Sequence, residues 1–385
     1  MRLVLGLGLV GCTGGELCPS LDPACRPAEL APFRLISVDP GLSEMMNGRL
    51  LLTQIDDQST TSFTTIINGS AEQVFWWEPD PGLRLIRSRL GRDGETITVG
   101  LRPPDNRELD AFFARLELET GKELSRTSGF DHHHDHVELE DGRIAYLSRN
   151  RLPDKWFGTK WPLAVDVVRM EGPDNEVLID LLGTLGVEPF WSCSHMGARN
   201  FVKGALDWTH ANSLVFDEAT QSLTLGLRHF DAVARVGLDG KVQWWLGAPP
   251  GGLGGFGNPR AIAVPNRLTP LNGAQPPRHG HFSEAWADGL IVFDNGGHEL
   301  DPITRIVEYA IDVEALTYEE VWSYRDPLGR FFGARGDVVR LPGGNRLIAF
   351  SAVGQLWEVT PKGEIVWEAE TDQKVLRIQF LPGSD

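Results

Sequence analysis

The sequence predicts an all-β chain, a six-bladed β-propeller built from four-stranded antiparallel blades, and three observations lead there. A strand–turn–strand pattern centred on glycine recurs along the chain. A second hairpin, often ending in tryptophan, follows it in each unit. No extended helical periodicity competes with either. The first pattern reads HDHVELEDGRIAYLSRN from His134, HFSEAWADGLIVFDNGG from His281 and GDVVRLPGGNRLIAFSA from Gly336, with eight residues from the first position to Gly142, Gly289 and Gly344. HANSLVFDEATQSLTLGLRHFD from His210 has a longer turn, and a further copy surrounds Gly48. The second pattern appears as VARVGLDGKVQWWLG, LWEVTPKGEIVWE and FARLELETGKELSRT, with Asp239-Gly240, Lys362-Gly363 and Thr120-Gly121 as hairpin turns. Together they make four strands per unit, which is one blade.

Taken in order, residues 1–12 read as a lipoprotein signal peptide: Met1-Arg2, an apolar LVLGLGLV, then Gly11-Cys12. Leu9–Cys12 resembles the lipobox of bacterial lipoproteins, which implies a lipid on Cys12 and export to the periplasm, outer membrane or cell surface. Residues 13–34 read as a tether, in which Cys18 and Cys25 of CPSLDPAC could close a loop in an oxidising compartment. Residues 35–385 form the propeller, with units near 42–79, 83–128, 132–184, 210–247, 279–324 and 336–370, the second being the least regular. The terminal strand Lys374–Pro382 is expected to complete the first blade and close the ring. Cys193 is left as a buried thiol. The Gly-rich GAPPGGLGGFGN (Gly247–Asn258) follows a strand and opens no helix, so it reads as an inter-blade loop.

Composition limits function. The chain has 385 residues, 41% of them hydrophobic, and a net charge of −17. The first two values exclude general disorder. The charge argues against a nucleic-acid partner and against adsorption to an anionic membrane, leaving the membrane to the lipid anchor alone. No internal apolar run reaches the roughly 18 residues of a membrane span. An anionic substrate therefore needs a locally positive site.

Such a site is predicted at one mouth of the channel. In a propeller the first strand of each blade lines the axis, so equivalent repeat positions converge. His134, His210 and His281 each stand at the start of an innermost strand. Arg228 ends the second strand of the fourth blade, and Arg149 and Asp294-Asn295 occupy the same strand end in the third and fifth. Alternation places His134 and His136 on one face and His133 on the other, and does not choose between the first two. Three converging histidines are also compatible with zinc chemistry in a lyase or hydrolase. A non-catalytic cell-surface binding module is a further reading of the same fold.

The motifs DWTHANSL (Asp207–Leu214), LGLRH (Leu225–His229), FDHHHDHVELEDG, HGHFSEAWADGLIVFDNG and RLPGGNRLIAF resemble the bacterial arylsulfotransferases from about residue 130 to 370. That resemblance implies a periplasmic six-bladed propeller that moves a sulfuryl group from a phenolic sulfate ester to a phenolic acceptor. It implies no cofactor, no nucleotide donor and no metal. Carried over by position, it makes His281 the nucleophile that forms a sulfohistidine, with His279 the lesser candidate. It makes His134, followed by Asp135, the acid–base residue, and Arg228, His210 and Asn212 the sulfuryl-binding groups. Phe230, Phe282 and Trp191 are the aromatic candidates for the substrate ring. The N-terminal sandwich domain of larger relatives has no counterpart here, which leaves the oligomeric state open.

Overall fold

The computed structural model of the chain describes residues 26–56, 61–103, 111–153, 161–186, 193, 204–247, 264–297 and 302–383. The expected signal peptide, most of the tether, Cys18, Cys25, Trp191 and nearly all of the Gly-rich loop lie outside them. The described residues form six antiparallel sheets, one per blade. From the axis outward, blade 1 is Lys374–Pro382, Gly48–Ile55, Ser62–Asn68 and Gln73–Trp77. Blade 2 is Arg84–Leu90, Thr96–Arg102, Phe112–Glu117 and Glu123–Ser128. Blade 3 is His136–Glu138, Ile144–Leu152, Leu163–Met170 and Val177–Asp180. Blade 4 is Ala211–Asp217, Ser222–Leu227, Ala232–Gly237 and Val242–Gly247. Blade 5 is Phe282–Trp286, Gly289–Asp294, Arg305–Asp312 and Thr317–Arg325, and blade 6 is Asp337–Arg340, Arg346–Phe350, Gln355–Val359 and Ile365–Thr371.

The ring closes as the terminal strand predicts. Lys374–Pro382 pairs with Gly48–Ile55 from Ile55↔Lys374 to Gly48↔Pro382, so the C-terminus supplies the innermost strand of the first blade. A second closure comes from the other end of the chain: Phe33–Val38 adds to the outer edge of blade 6 through Ile365–Thr371. The added strand covers Ile365–Thr371 and becomes the outer edge of blade 6 itself. Hydrophobic clusters between blades hold the ring, the largest spanning blades 3 and 4 around Trp208, Trp245 and Leu225.

The turn glycines act in two ways. Gly142 and Gly344 take φ of 80° and 99°, the left-handed region that a side chain disfavours. Gly289 has no such φ; a Cβ there would stand 2.3 Å from the Trp286 ring, so close packing demands the glycine. Blade 2, the faintest in the sequence, has four full strands. Blade 3 instead has the shortest inner strand, three residues, because His132–His134 leave the ladder before it starts.

Candidate active site

The chain enters blades 3 and 4 through single residues in left-handed conformation, His134 (φ 54°) and His210 (φ 49°). This conformation is uncommon outside glycine and locally unfavourable, and such strain gathers at functional sites. It turns both side chains out of the ladder toward the channel mouth. His281 reaches the same place from extended backbone, two residues beyond the left-handed His279 (φ 61°). The His134 ring centroid lies 5.0 Å from that of His210 and 6.3 Å from that of His281. Among the described histidines these three are partly exposed, whereas His132, His133, His136, His229 and His279 are buried. His136 packs against Phe113 and His132 between blades, so of the two residues left open by alternation it is His134 that faces the mouth.

The hydrogen bonds fix which nitrogen each ring presents. His281 Nδ1 lies 3.0 Å from the Gly336 carbonyl, which can only accept, so the proton is on Nδ1 and the lone pair on Nε2. His210 Nδ1 donates to Asp207 Oδ2 at 2.6 Å. His134 Nδ1 lies 2.8 Å from His133 Nδ1, and His133 Nε2 lies 3.0 Å from Asp166. A proton on His133 Nε2, facing the carboxylate, makes its Nδ1 the acceptor for His134. All three mouth histidines therefore have Nδ1 tied down and Nε2 open.

Electrostatics keeps the His134 and His281 rings neutral. Burial, then the neighbouring His210, His133, Arg149 and His281, holds His134 well below the ordinary imidazole range. Burial, then Arg377 and Arg228, does the same for His281. Burial pushes the Asp207 carboxyl up, but His210, His229 and Arg149 outweigh it and leave Asp207 an anion. Arg228 is buried, which lowers its guanidinium to about 10, still charged near neutral pH. Its Nη2 donates to the Gly333 carbonyl at 2.8 Å, and its Nε has no hydrogen-bond partner among the described residues.

The other expected groups have other surroundings. Asn212 is fully buried and its Nδ2 donates to the Gly280 carbonyl at 3.0 Å, so it braces the segment that carries His281. Asp294 pairs with Arg305 at 2.9 Å, and the Asn295 amide donates to Phe332 and Arg335 carbonyls. Phe230 packs on Trp208 and Trp245 in the blade core. Phe282 is buried under Arg377, whose guanidinium carbon stands 4.3 Å above its ring. Asp135 does not approach His134. It is fully buried and pairs with Arg87 at 2.9 Å, Arg89 at 3.2 Å and Arg377 at 3.2 Å. Sequence reasoning assigned no role to Asp207, Asp166 or His133. Asp207 had a signal, the i, i+3 spacing of Asp and His in DWTH; Asp166 sits mid-strand in LAVDVV and had none.

Ligand-bearing atoms within 4.8 Å of one another occur, among the described residues, in Cys193–His229–His279 and Asp207–His210–His229. His134, His210 and His281 are not such a group. Their arrangement suits an anion held between them more closely than one shared metal ion.

The arylsulfotransferase (ASST) family pattern matches residues 107–382. The chain is 29% identical over 258 residues to arylsulfate sulfotransferase AssT of Escherichia coli O6:H1, a match covering 58% of this chain and 42% of that protein. The chain thus spans less than half the length of this curated relative. Among solved structures, a protein of unknown function from Bacteroides caccae is 13% identical with a TM-score of 0.47, covering 87% of this chain and 99% of that one. The periplasmic gluconolactonase PpgL of Pseudomonas aeruginosa is 15% identical with a TM-score of 0.47, covering 88% and 99%. Neither structural likeness bears on the chemistry. With its family pattern running from blade 2 to the closing strand, the chain belongs to the arylsulfotransferase family.

Proposed function

We propose that the chain transfers a sulfuryl group from an aryl sulfate to a phenolic acceptor through a sulfated His281, without a nucleotide donor. The observation that carries this is the set of three imidazoles with Nδ1 tied and Nε2 open, beside a buried Arg228. A neutral imidazole is a competent nucleophile, and the Gly336 carbonyl stabilises the charge that develops on its ring when Nε2 bonds to sulfur. In the first step His281 Nε2 attacks sulfur, the sulfur–aryl oxygen bond breaks, and the leaving phenolate takes a proton from His134. In the second step the acceptor phenol gives its proton to His134 Nε2, its oxygen attacks sulfur, and the nitrogen–sulfur bond breaks. The donor is an anion, so its charge offsets the burial and cations that hold His134 low, and the proton enters with the donor. Arg228 supplies charge-assisted hydrogen bonds to the sulfuryl oxygens, and His210, with Nδ1 donating to Asp207, adds another from Nε2 when that nitrogen carries a proton. Asn212 acts as a positioning residue through Gly280.

The test is incubation with an aryl sulfate that releases a coloured phenol, with and without a phenolic acceptor. Release that depends on the acceptor and disappears in His281→Ala supports the reading; release with water alone makes the chain a sulfatase. Residues 1–12 support export as a lipoprotein, which metabolic labelling of Cys12 with a fatty acid tests.

A further inference from the structure

Behind the mouth, on the side of His229 away from the open nitrogens, lies a second group that the sulfuryl chemistry does not use. Cys193, His229 and His279 are each 1% exposed, and one ligand atom from each lies within 4.8 Å of the others. Cys193 Sγ and His279 Nε2 are 3.4 Å apart. In a tetrahedral zinc site with Zn–S of about 2.3 Å and Zn–N of about 2.0–2.1 Å, sulfur and nitrogen donors stand about 3.5 Å apart, so this pair already has the required spacing. The third donor needs at most about 1.5 Å of closure by the same geometry.

The histidines are prepared as ligands. His229 Nδ1 lies 2.9 Å from the Asp207 carbonyl, so it carries the proton and Nε2 carries the lone pair. That Nε2 is buried and has no hydrogen-bond partner among the described residues. A ring whose second nitrogen donates to a backbone carbonyl is the usual state of a metal-bound histidine. His279 stacks on His229 with centroids 5.6 Å apart and planes 14° apart, and its backbone N–H is held by Asp231 at 2.6 Å. Thiolate and imidazole are borderline-soft donors that select zinc over calcium or magnesium. The thiolate also cancels one of the two positive charges that zinc brings beside Arg228.

We propose that Cys193, His229 and His279 form a zinc site that braces the wall of the sulfuryl pocket. The His229 ring lies 4.7 Å from His210, so a metal on His229 fixes the surface against which His210 packs and ties Cys193 to the end of the second strand of blade 4 and the entry of blade 5. The site is independent of turnover and is read without it.

The experiment uses the full chain, stripped with a chelator and titrated with zinc alone against a chromophoric competitor. The expected result is one zinc per chain, bound at least about 100-fold more weakly in Cys193→Ser and in His279→Gln, and unchanged in His281→Ala. X-ray absorption on the unaltered zinc-loaded chain is expected to show one sulfur and two or more nitrogen or oxygen neighbours, which decides the matter even where a variant fails to fold. A zinc shell without sulfur, or with more than one, overturns the proposal. So does binding that Cys193→Ser leaves intact, or binding that His281→Ala abolishes.

Discussion

The inner strands carry two groups of polar side chains that differ in how they are used. At the mouth, His134, His210 and His281 are each held at one nitrogen and open at the other. Deeper in the channel, Arg87, Arg89 and Arg377 close around Asp135, with Arg377 also 3.9 Å from Asp337. Asp135 accepts the Leu214 N–H at 2.9 Å, and Arg89 donates to the Leu214 carbonyl at 2.8 Å, so the knot joins blades 1, 2, 3, 4 and 6. Neighbouring residues, His134 and Asp135, thus belong to different regions. The turn at His134 sends one side chain to the mouth and the next into the knot. Charge balance separates them: the arginines of the knot already share carboxylates, while the mouth sets Arg228 beside rings whose Nε2 atoms are open and awaits an anion. The −17 total of the chain does not oppose this, because Arg228 makes the mouth locally receptive to an anion.

The sharpest way to separate the two regions is to remove one group from each. His281→Ala is expected to lower acceptor-dependent turnover by about 10⁴-fold or more, with the thermal midpoint almost unchanged. Asp135→Ala is expected to do the reverse first. It leaves the buried Arg87 and Arg377, and the partly exposed Arg89, without their shared anion and destabilises the fold by about 3–5 kcal/mol, read by denaturant unfolding. Equal stability losses in the two variants would erase the distinction between mouth and knot. Asp207→Asn is an intermediate case, because it keeps the shape but removes the anion behind His210. A fall in kcat of about 10²-fold is expected, with a thermal midpoint close to that of the unaltered chain.

The smaller effects concern pH. His132, His133, His134, His136, His229 and His281 are all held below the ordinary imidazole value, His136 and His229 down to about 3, with burial as the first cause in each. The unfolded chain binds more protons than the folded one below about pH 6.5, so these groups contribute stability above that pH and lose it as the pH falls. Glu284 and Asp337 run the other way. Burial raises them to about 7 and about 6, so their contribution is present at acid pH and is lost as the pH rises through those values. The histidines titrate across this range and outweigh the raised carboxyls, and melts followed by circular dichroism are expected to show the midpoint falling from pH 7.5 to pH 5. Glu284→Gln is expected to raise the midpoint slightly at pH 8 and to have less effect at pH 5.

Much of the fold was legible because a propeller repeats its signals. The turns at Gly142 and Gly344 and the hairpins at Asp239-Gly240 and Lys362-Gly363 need left-handed backbone, and glycine marks such positions openly. Closure by Lys374–Pro382 was legible as a strand left without a blade. Closure by Phe33–Val38 was not, because its partner lies more than 300 residues away and no local pattern reports it. Within the site, His134, His210 and His281 could be read from their shared repeat position. Their supports could not. Asp166 looks like any residue of a buried strand until Leu163–Met170 packs behind His133, and Asp135 reveals its three arginines only when inner strands from separate blades meet on the axis. Asn212 shows the same limit, since nothing in the motif reports that its amide donates a hydrogen bond to the Gly280 carbonyl.

The sulfohistidine is tested most directly by mixing the chain with an aryl sulfate donor alone, quenching rapidly and mapping the histidine-containing peptides by mass spectrometry under conditions that preserve the nitrogen–sulfur bond. One added sulfuryl group is expected on His281, and it disappears when a phenolic acceptor is supplied. A sulfuryl group on His279 or His134 instead, or donor turnover with no modified histidine at all, contradicts that assignment.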